Sequence, residues 1–321
     1  HIELFKLNGV LSFEMRKDTM LSKANLSVKD RSGFELKKLA ANIRFTPQIM
    51  EFRNLDLQTN KSKLGNYYAM LYKDFNKDFA DYINKVKMVA QFSNAKIHSD
   101  DIAYFASELK GLNKQLQLGG NFIGTVSDFK VSALNASIGA NTQLNGNLTM
   151  KGLPNINTTQ IDLSNGTLST NAYDLGVFIP AMKGVINPDL AALGNITYRG
   201  SFKGTIQNFN TSGVFSTKLG GVQTNISLAL PNKGEPSFDG FMSTKRFDLG
   251  KFLKVDSLGF INFSGKLTGS SFNIDRLKTQ FDGVVHSVEY NHYLYTNIIA
   301  NGTIQRKSFN GELEIDDPNL G

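Results

Sequence analysis

Along most of this chain polar and apolar residues alternate with period two, and Asn, Asp or Gly interrupts the alternation every 8 to 12 residues. Alternation of that period puts successive side chains on opposite faces, so each stretch predicts a β-strand with one apolar and one polar side. Asn225-Ile226-Ser227-Leu228-Ala229-Leu230 ends at Pro231-Asn232-Lys233-Gly234, and Gly146-Asn147-Leu148-Thr149-Met150 ends at Lys151-Gly152-Leu153-Pro154. Short strands parted by such turn residues predict antiparallel neighbours. From Asn66 to Val89 the pattern changes: Tyr68, Leu71, Tyr72, Phe75, Phe79, Tyr82, Ile83 and Val86 recur at steps of three and four. That spacing predicts an amphipathic helix over about 66–89, packed on the sheet rather than on a membrane surface. Shorter helical stretches are predicted at Ile102 to Leu109 and near Pro188 to Leu193, where Asp189 stands as a helix start.

Internal repetition gives the domain plan. Asp101-Ile102-Ala103-Tyr104-Phe105, Asp174-Leu175-Gly176-Val177-Phe178 and Asp248-Leu249-Gly250-Lys251-Phe252 share one pattern, with first residues 73 and 74 positions apart. A second pattern follows each: Phe122-Ile123-Gly124-Thr125-Val126, Phe202-Lys203-Gly204-Thr205-Ile206 and Phe263-Ser264-Gly265-Lys266-Leu267. Phe, Gly and the aliphatic residue at alternate positions predict one strand face on which an aromatic covers a bend at glycine. A period near 73 suits several antiparallel strands closed by a short helical turn. The plan is strands with the inserted helix over 1–94, then repeat modules over 95–165, 166–239 and 240–321, all in one continuous sheet.

Composition narrows the chemistry. The chain has no Cys and only four His, so thiolate metal sites, thiol catalysis and disulfide frameworks are excluded. No nucleophile elbow, phosphate loop or dinucleotide fingerprint occurs, and His286 and His292 lack the spacing of a metal-binding helix. The reading is therefore a non-enzyme with no cofactor and no metal. The formal charge of +7 comes from scattered Lys and Arg, with Lys37-Lys38 and Arg306-Lys307 the tightest pairs, so nucleic acid is not an expected partner. No run of 18 apolar residues is present, and the start at His1 together with the abrupt end suggests a fragment, outside which any anchor or address would lie.

The module formed by Asn165-Gly166-Thr167-Leu168-Ser169-Thr170, Tyr173-Asp174-Leu175-Gly176-Val177-Phe178 and Phe202-Lys203-Gly204-Thr205-Ile206 resembles the periplasmic part of the TamB/AsmA-like family. Asn66-Tyr67-Tyr68-Ala69-Met70, followed by Lys73-Asp74-Phe75 and Lys77-Asp78-Phe79, is similar to its Bacteroidetes branch. The resemblance implies an elongated, all-β antiparallel β-taco with short helices, a curved gutter with an apolar groove. It also implies residence in the periplasm of a Gram-negative bacterium, an inner-membrane anchor outside this segment, and an outer-membrane TamA-like barrel as partner. Phospholipid would be the cargo, conducted from inner to outer membrane; the family's other described role is assembly of outer-membrane β-barrel proteins.

On that reading the groove is lined by Phe122, Val126, Leu134, Ile138, Leu144, Leu148, Phe202, Ile206, Ile226, Leu228, Leu230, Phe263, Leu267, Leu313 and Ile315. On pattern alone such residues also suit the packed interior of a sandwich. Asp18-Thr19-Met20 and Asp256-Ser257-Leu258 fit a short O-glycosylation pattern of that bacterial branch, which would place sugar on Thr19 or Ser257. A structural β-helix or adhesin is the rival from another class, but it predicts rungs of about 20 residues, which the chain lacks.

Overall fold

The computed structural model describes residues 4–31, 33–102, 113–178, 185–231, 233–273, 275–306 and 308–318. It divides into two compact units, His1–Ile156 and Asn157–Gly321. The first carries β1 (Leu4–Arg16), β2 (Thr19–Asp30), β3 (Glu35–Phe45), β4 (Ile49–Gln58), β5 (Lys63–Leu71), β6 (Lys87–His98), β7 (Gln115–Gly124), β8 (Asp128–Ile138) and β9 (Thr142–Lys151). The second carries β10 (Gln160–Asn171), β11 (Asn195–Gly204), β12 (Asn208–Thr217), β13 (Gly220–Ala229), β14 (Ser237–Lys245), the two-residue β15 (Phe247–Asp248), β16 (Leu258–Ser270), β17 (Lys278–Tyr290), β18 (Tyr293–Gln305) and β19 (Ser308–Ile315). In each unit every strand pairs antiparallel with its neighbour in sequence, and β14 and β15 share the edge of β16. The chain is thus all-β with short helices, and the described strands of neither unit close into a barrel.

Strands of about ten residues bend midway, and the two units bend by different means. In the first, every pairing from β2 to β9 carries a mid-strand register shift, for example at Arg53/Leu55 and Val131/Leu134. The extra residues Asn54 and Ala133 sit at φ 51, the left-handed conformation of a bulge, which bends its strand and sharpens the twist. In the second unit glycines face each other across strands: Gly200 opposite Gly213, Gly265 opposite Gly283, Gly302 opposite Gly311. A Cβ on Gly200 would overlap the Ser212 carbonyl and lie 2.6 Å from Gly213 Cα. Aromatic rings cover these pairs: a Cβ on Gly213 would sit 2.7 Å from the Tyr198 ring, and one on Gly265 2.7 Å from the Phe281 ring. Tyr198 is pinned there by its hydroxyl, which donates to the Ser201 carbonyl at 2.7 Å. Covering a glycine with a neighbouring aromatic keeps the face apolar where the backbones approach.

Short helices punctuate the strands. α1 (Phe75–Phe79) and α2 (Tyr82–Lys85) join β5 to β6, and α3 (Ser99–Ile102), α4 (Ala172–Phe178) and α5 (Leu249–Leu253) follow β6, β10 and β15. The helix expected over 66–89 is therefore two turns, because β5 continues to Leu71 and places Tyr68 in a strand. Asp74 caps α1 by accepting the Lys77 N–H at 3.0 Å, and Asp78 folds back to accept the Lys73 N–H at 2.6 Å, which fixes the start and keeps the helix short. Its aromatic stripe does pack on the sheet, with Phe75 6.1 Å from Phe45 between ring centres. A 3-10 turn at Leu190–Leu193 capped by Asp189 matches the expectation there, and the stretch expected at Ile102 to Leu109 lies almost wholly outside the described residues.

The three aspartates of the repeat stand at strand-to-helix junctions but bond differently. Asp248 caps α5, accepting the Lys251 N–H at 3.0 Å. At Asp174 the backbone N–H donates to Asn171 Oδ1 at 2.8 Å. Asp101 is buried and accepts from Thr59 Oγ1 and Ser62 Oγ, both at 2.6 Å. Burial alone would raise its pKa, but the hydrogen bonds from Ser62 and Thr59 outweigh it and hold the carboxyl below its ordinary range. The helical junctions recur with the repeat, whereas the compact units part at Ile156, away from the module limits at 165 and 239.

Gly200→Ala is expected to cost about 1–3 kcal/mol, because the new methyl meets backbone on both sides and the strands must separate. Gly221→Ala, whose Cβ would meet nothing nearer than 3.8 Å, is expected to be neutral; urea unfolding of both variants checks the contrast.

Candidate apolar binding face

The register aligns apolar residues of successive strands into rows running across each sheet. In the first unit Phe13, Ser22, Ile43, Phe52, Tyr68, Ala90, Phe122, Val131 and Leu148 are directly opposite one another in turn. In the second, Leu163, Phe202, Thr211, Ile226, Gly240, Leu267 and Phe281 form a similar row from β10 to β17. The opposite face is polar and bonded across strands, as in Asn135 Nδ2 to Asn145 Oδ1 at 2.8 Å and Ser227 Oγ to Asn210 Oδ1 at 2.6 Å. On that side Glu51, 3% exposed, accepts from Arg44 Nε at 2.8 Å and Tyr67 OH at 2.9 Å. Burial works against its charge, yet bonds from Tyr67, Arg53 and Arg44 keep its pKa low.

Twelve of the fifteen residues expected to line a groove lie on strands of this apolar face. Phe122 and Leu148 stand in the first row, while Leu134 faces Gly146, Leu144 faces Ala136, and Ile138 faces Leu116. Phe202, Ile226 and Leu267 stand in the second row, Leu228 faces Phe209 and Phe238, and Phe263 faces Val285. Leu313 and Ile315 face Ala300 and Ile298 from β19, where both are exposed.

Val126 and Ile206 lie off the strands, for the motif that holds them is a turn. Thr125 N–H donates to the Asp128 carbonyl at 2.9 Å and Thr205 N–H to the Asn208 carbonyl at 2.8 Å. Gly124 and Gly204 end their strands at φ 137 and 142, where a Cβ would overlap the Asp128 and Asn208 carbonyls. The third copy differs, since Gly265 lies inside β16. Leu230 follows β13 and gives its N–H to the Gln207 carbonyl at 2.6 Å, so it too belongs to a turn. Thr19 opens β2 and Ser257 precedes β16, both half-buried.

The face is only half covered. Of 24 Phe in the chain, Phe247 and Phe281 alone are buried among the described residues, and the largest side chains below 2% exposure include Val86 and Val131 but no Leu, Ile or Phe. A packed sandwich interior would bury most of these rings. The chain exposes 19096 Å². Two separate compact bodies of half its mass would together expose about 16,000 Å². Two polar side chains at the face, Ser22 Oγ and Thr224 Oγ1, are buried without a hydrogen-bond partner.

One alignment was not foreseen. Met15, Met20, Phe45, Met50, Met70, Met88, Gly124, Phe129 and Met150 form an unbroken second row in the first unit, so six of the eight methionines lie on one line. Their signal in the sequence is position beside turns and strand ends, as with Met15 and Met20 around Arg16-Lys17-Asp18-Thr19.

Comparison with protein-family models, with curated proteins and with solved structures finds no match.

Thr224→Val removes an unpartnered hydroxyl from the face at nearly constant shape. It is expected to raise stability by about 1 kcal/mol, read as a higher urea midpoint with an unchanged slope.

Proposed function

We propose that this chain carries lipid, its apolar face sheltering acyl tails from water. The observation that supports this reading is an apolar face, aligned one strand row after another in each unit, whose described rings stay mostly half-exposed. Each CH₂ left in water costs about 0.8 kcal/mol, so two tails crossing an aqueous gap unaided meet a barrier of roughly 20 kcal/mol. A surface that keeps the tails dry removes most of that barrier without chemistry. The face bears no ionised side chain along either row, as transport favours, since a charge there would hold headgroups and interrupt movement.

In the setting implied by the resemblance to the TamB/AsmA-like family, the chain is a segment of a bridge-like protein passing phospholipid across the periplasm to an outer-membrane TamA-like barrel. The polar outer face, with cross-strand ladders of Asn, Ser and Gln, suits contact with water along the way.

A photoreactive residue placed in cells at Phe122 or Phe202 is expected to yield phospholipid adducts by mass spectrometry, and one at the polar-side neighbours Asn121 or Lys203 none. Adducts at neither pair, or equally at both, would return the face to a purely structural role.

A further inference from the structure

The methionine row sets the first unit apart from the second. Met50, Met70 and Met88 are directly opposite on three consecutive strands, with Met15 and Met20 beyond Phe45 on one side and Met150 beyond Phe129 on the other. All but the exposed Met15 are half-buried, so the row is neither sealed in a core nor free in solvent. Above its centre lie α1 and α2: Tyr82 OH is 3.8 Å from Met70 Sδ and 2.8 Å from Tyr68 OH, and Phe75 leans on Phe45. The second unit offers Phe, Leu and β-branched residues in its place, with Met242 the one methionine on the described part of its face.

Met is unbranched with three rotatable bonds and a polarisable sulfur, so a line of them reshapes itself around what it touches, whereas Val, Ile and Phe hold fixed shapes. The row carries no charged side chain, and its one side-chain hydrogen bond among the described residues is the weak one that Met70 Sδ accepts from Tyr82 OH, so hydrocarbon is its fitting ligand. Nine strands at about 4.8 Å spacing make it on the order of 38 Å long. An acyl tail reaches across half a bilayer core, about 15 Å, and so fits along the row at many overlapping positions.

We propose that this row is the specificity-setting element for the acyl chain: its pliant thioethers let the first unit take straight and kinked tails of a diacyl lipid with similar affinity. The inference rests on the lipid-carrying reading above. Replacing the three central methionines with branched leucine keeps volume while removing that pliancy.

The full chain would be incubated with vesicles of one headgroup bearing either two saturated or two cis-unsaturated chains, the vesicles removed by flotation, and bound lipid counted by mass spectrometry. The wild type is expected to take both within about twofold, and the Met50→Leu/Met70→Leu/Met88→Leu variant to disfavour kinked chains by about tenfold. Protein in which all methionine is replaced by norleucine, unbranched but without sulfur, should keep the wild-type breadth. Equal uptake of both lipids by the triple variant, or a narrowed ratio in the norleucine protein, would overturn the inference while leaving lipid carriage intact. No lipid on the wild type at all would instead remove the reading on which it rests.

Discussion

The structure depends on backbone hydrogen bonding between strands that are adjacent in sequence. Because each strand completes its ladder with the strand before and the strand after, the sheet grows without needing a partner layer, and side chains are left to decide only what each face is for. Ten or so residues per strand, alternating between faces except at the bulges, make one face polar and the other apolar. An isolated sheet of this kind would ordinarily bury its apolar face against a helix layer or a second sheet. Here the described helices are a few residues long, and much of that face remains half-exposed.

Leaving an apolar face partly open is tolerable only if the sheet bends to shelter it, and the two units reach that bend through different local chemistry. Bulged residues such as Asn54 and Ala133 insert one position into a strand, and paired glycines such as Gly200 and Gly213 let backbones approach beneath a covering ring. The methionine row lies in the unit that uses the first device. The second places Tyr198, Phe281 and Phe309 over the bend. Different linings thus follow from different ways of curving the same ladder.

Much of this was legible in the sequence. Alternation located the strands and the Asp-led repeat located helical junctions after β6, β10 and β15, because both signals are local. Three features were not legible. The 66–89 stripe read as one helix because Tyr68 and Tyr72, four apart, satisfy period two as well as the steps of a helix, and only the pairing of β5 with β4 and β6 decides between them. Val126 and Ile206 read as lining residues because Phe-x-Gly-x-aliphatic suits a strand, whereas the following Thr-x-x-Asp/Asn contacts turn the chain at the glycine. The methionine row depends on the register of eight successive pairings, each able to slip by one residue, and no short window contains it.

The central claim is that the apolar face is occupied by lipid rather than by other parts of the protein. Its most direct test is native mass spectrometry of the full chain purified from membranes without detergent. Folded protein should carry more than one phospholipid per chain, with mixed headgroups. Folded protein of bare mass, with no lipid regained on exposure to vesicles, would contradict it.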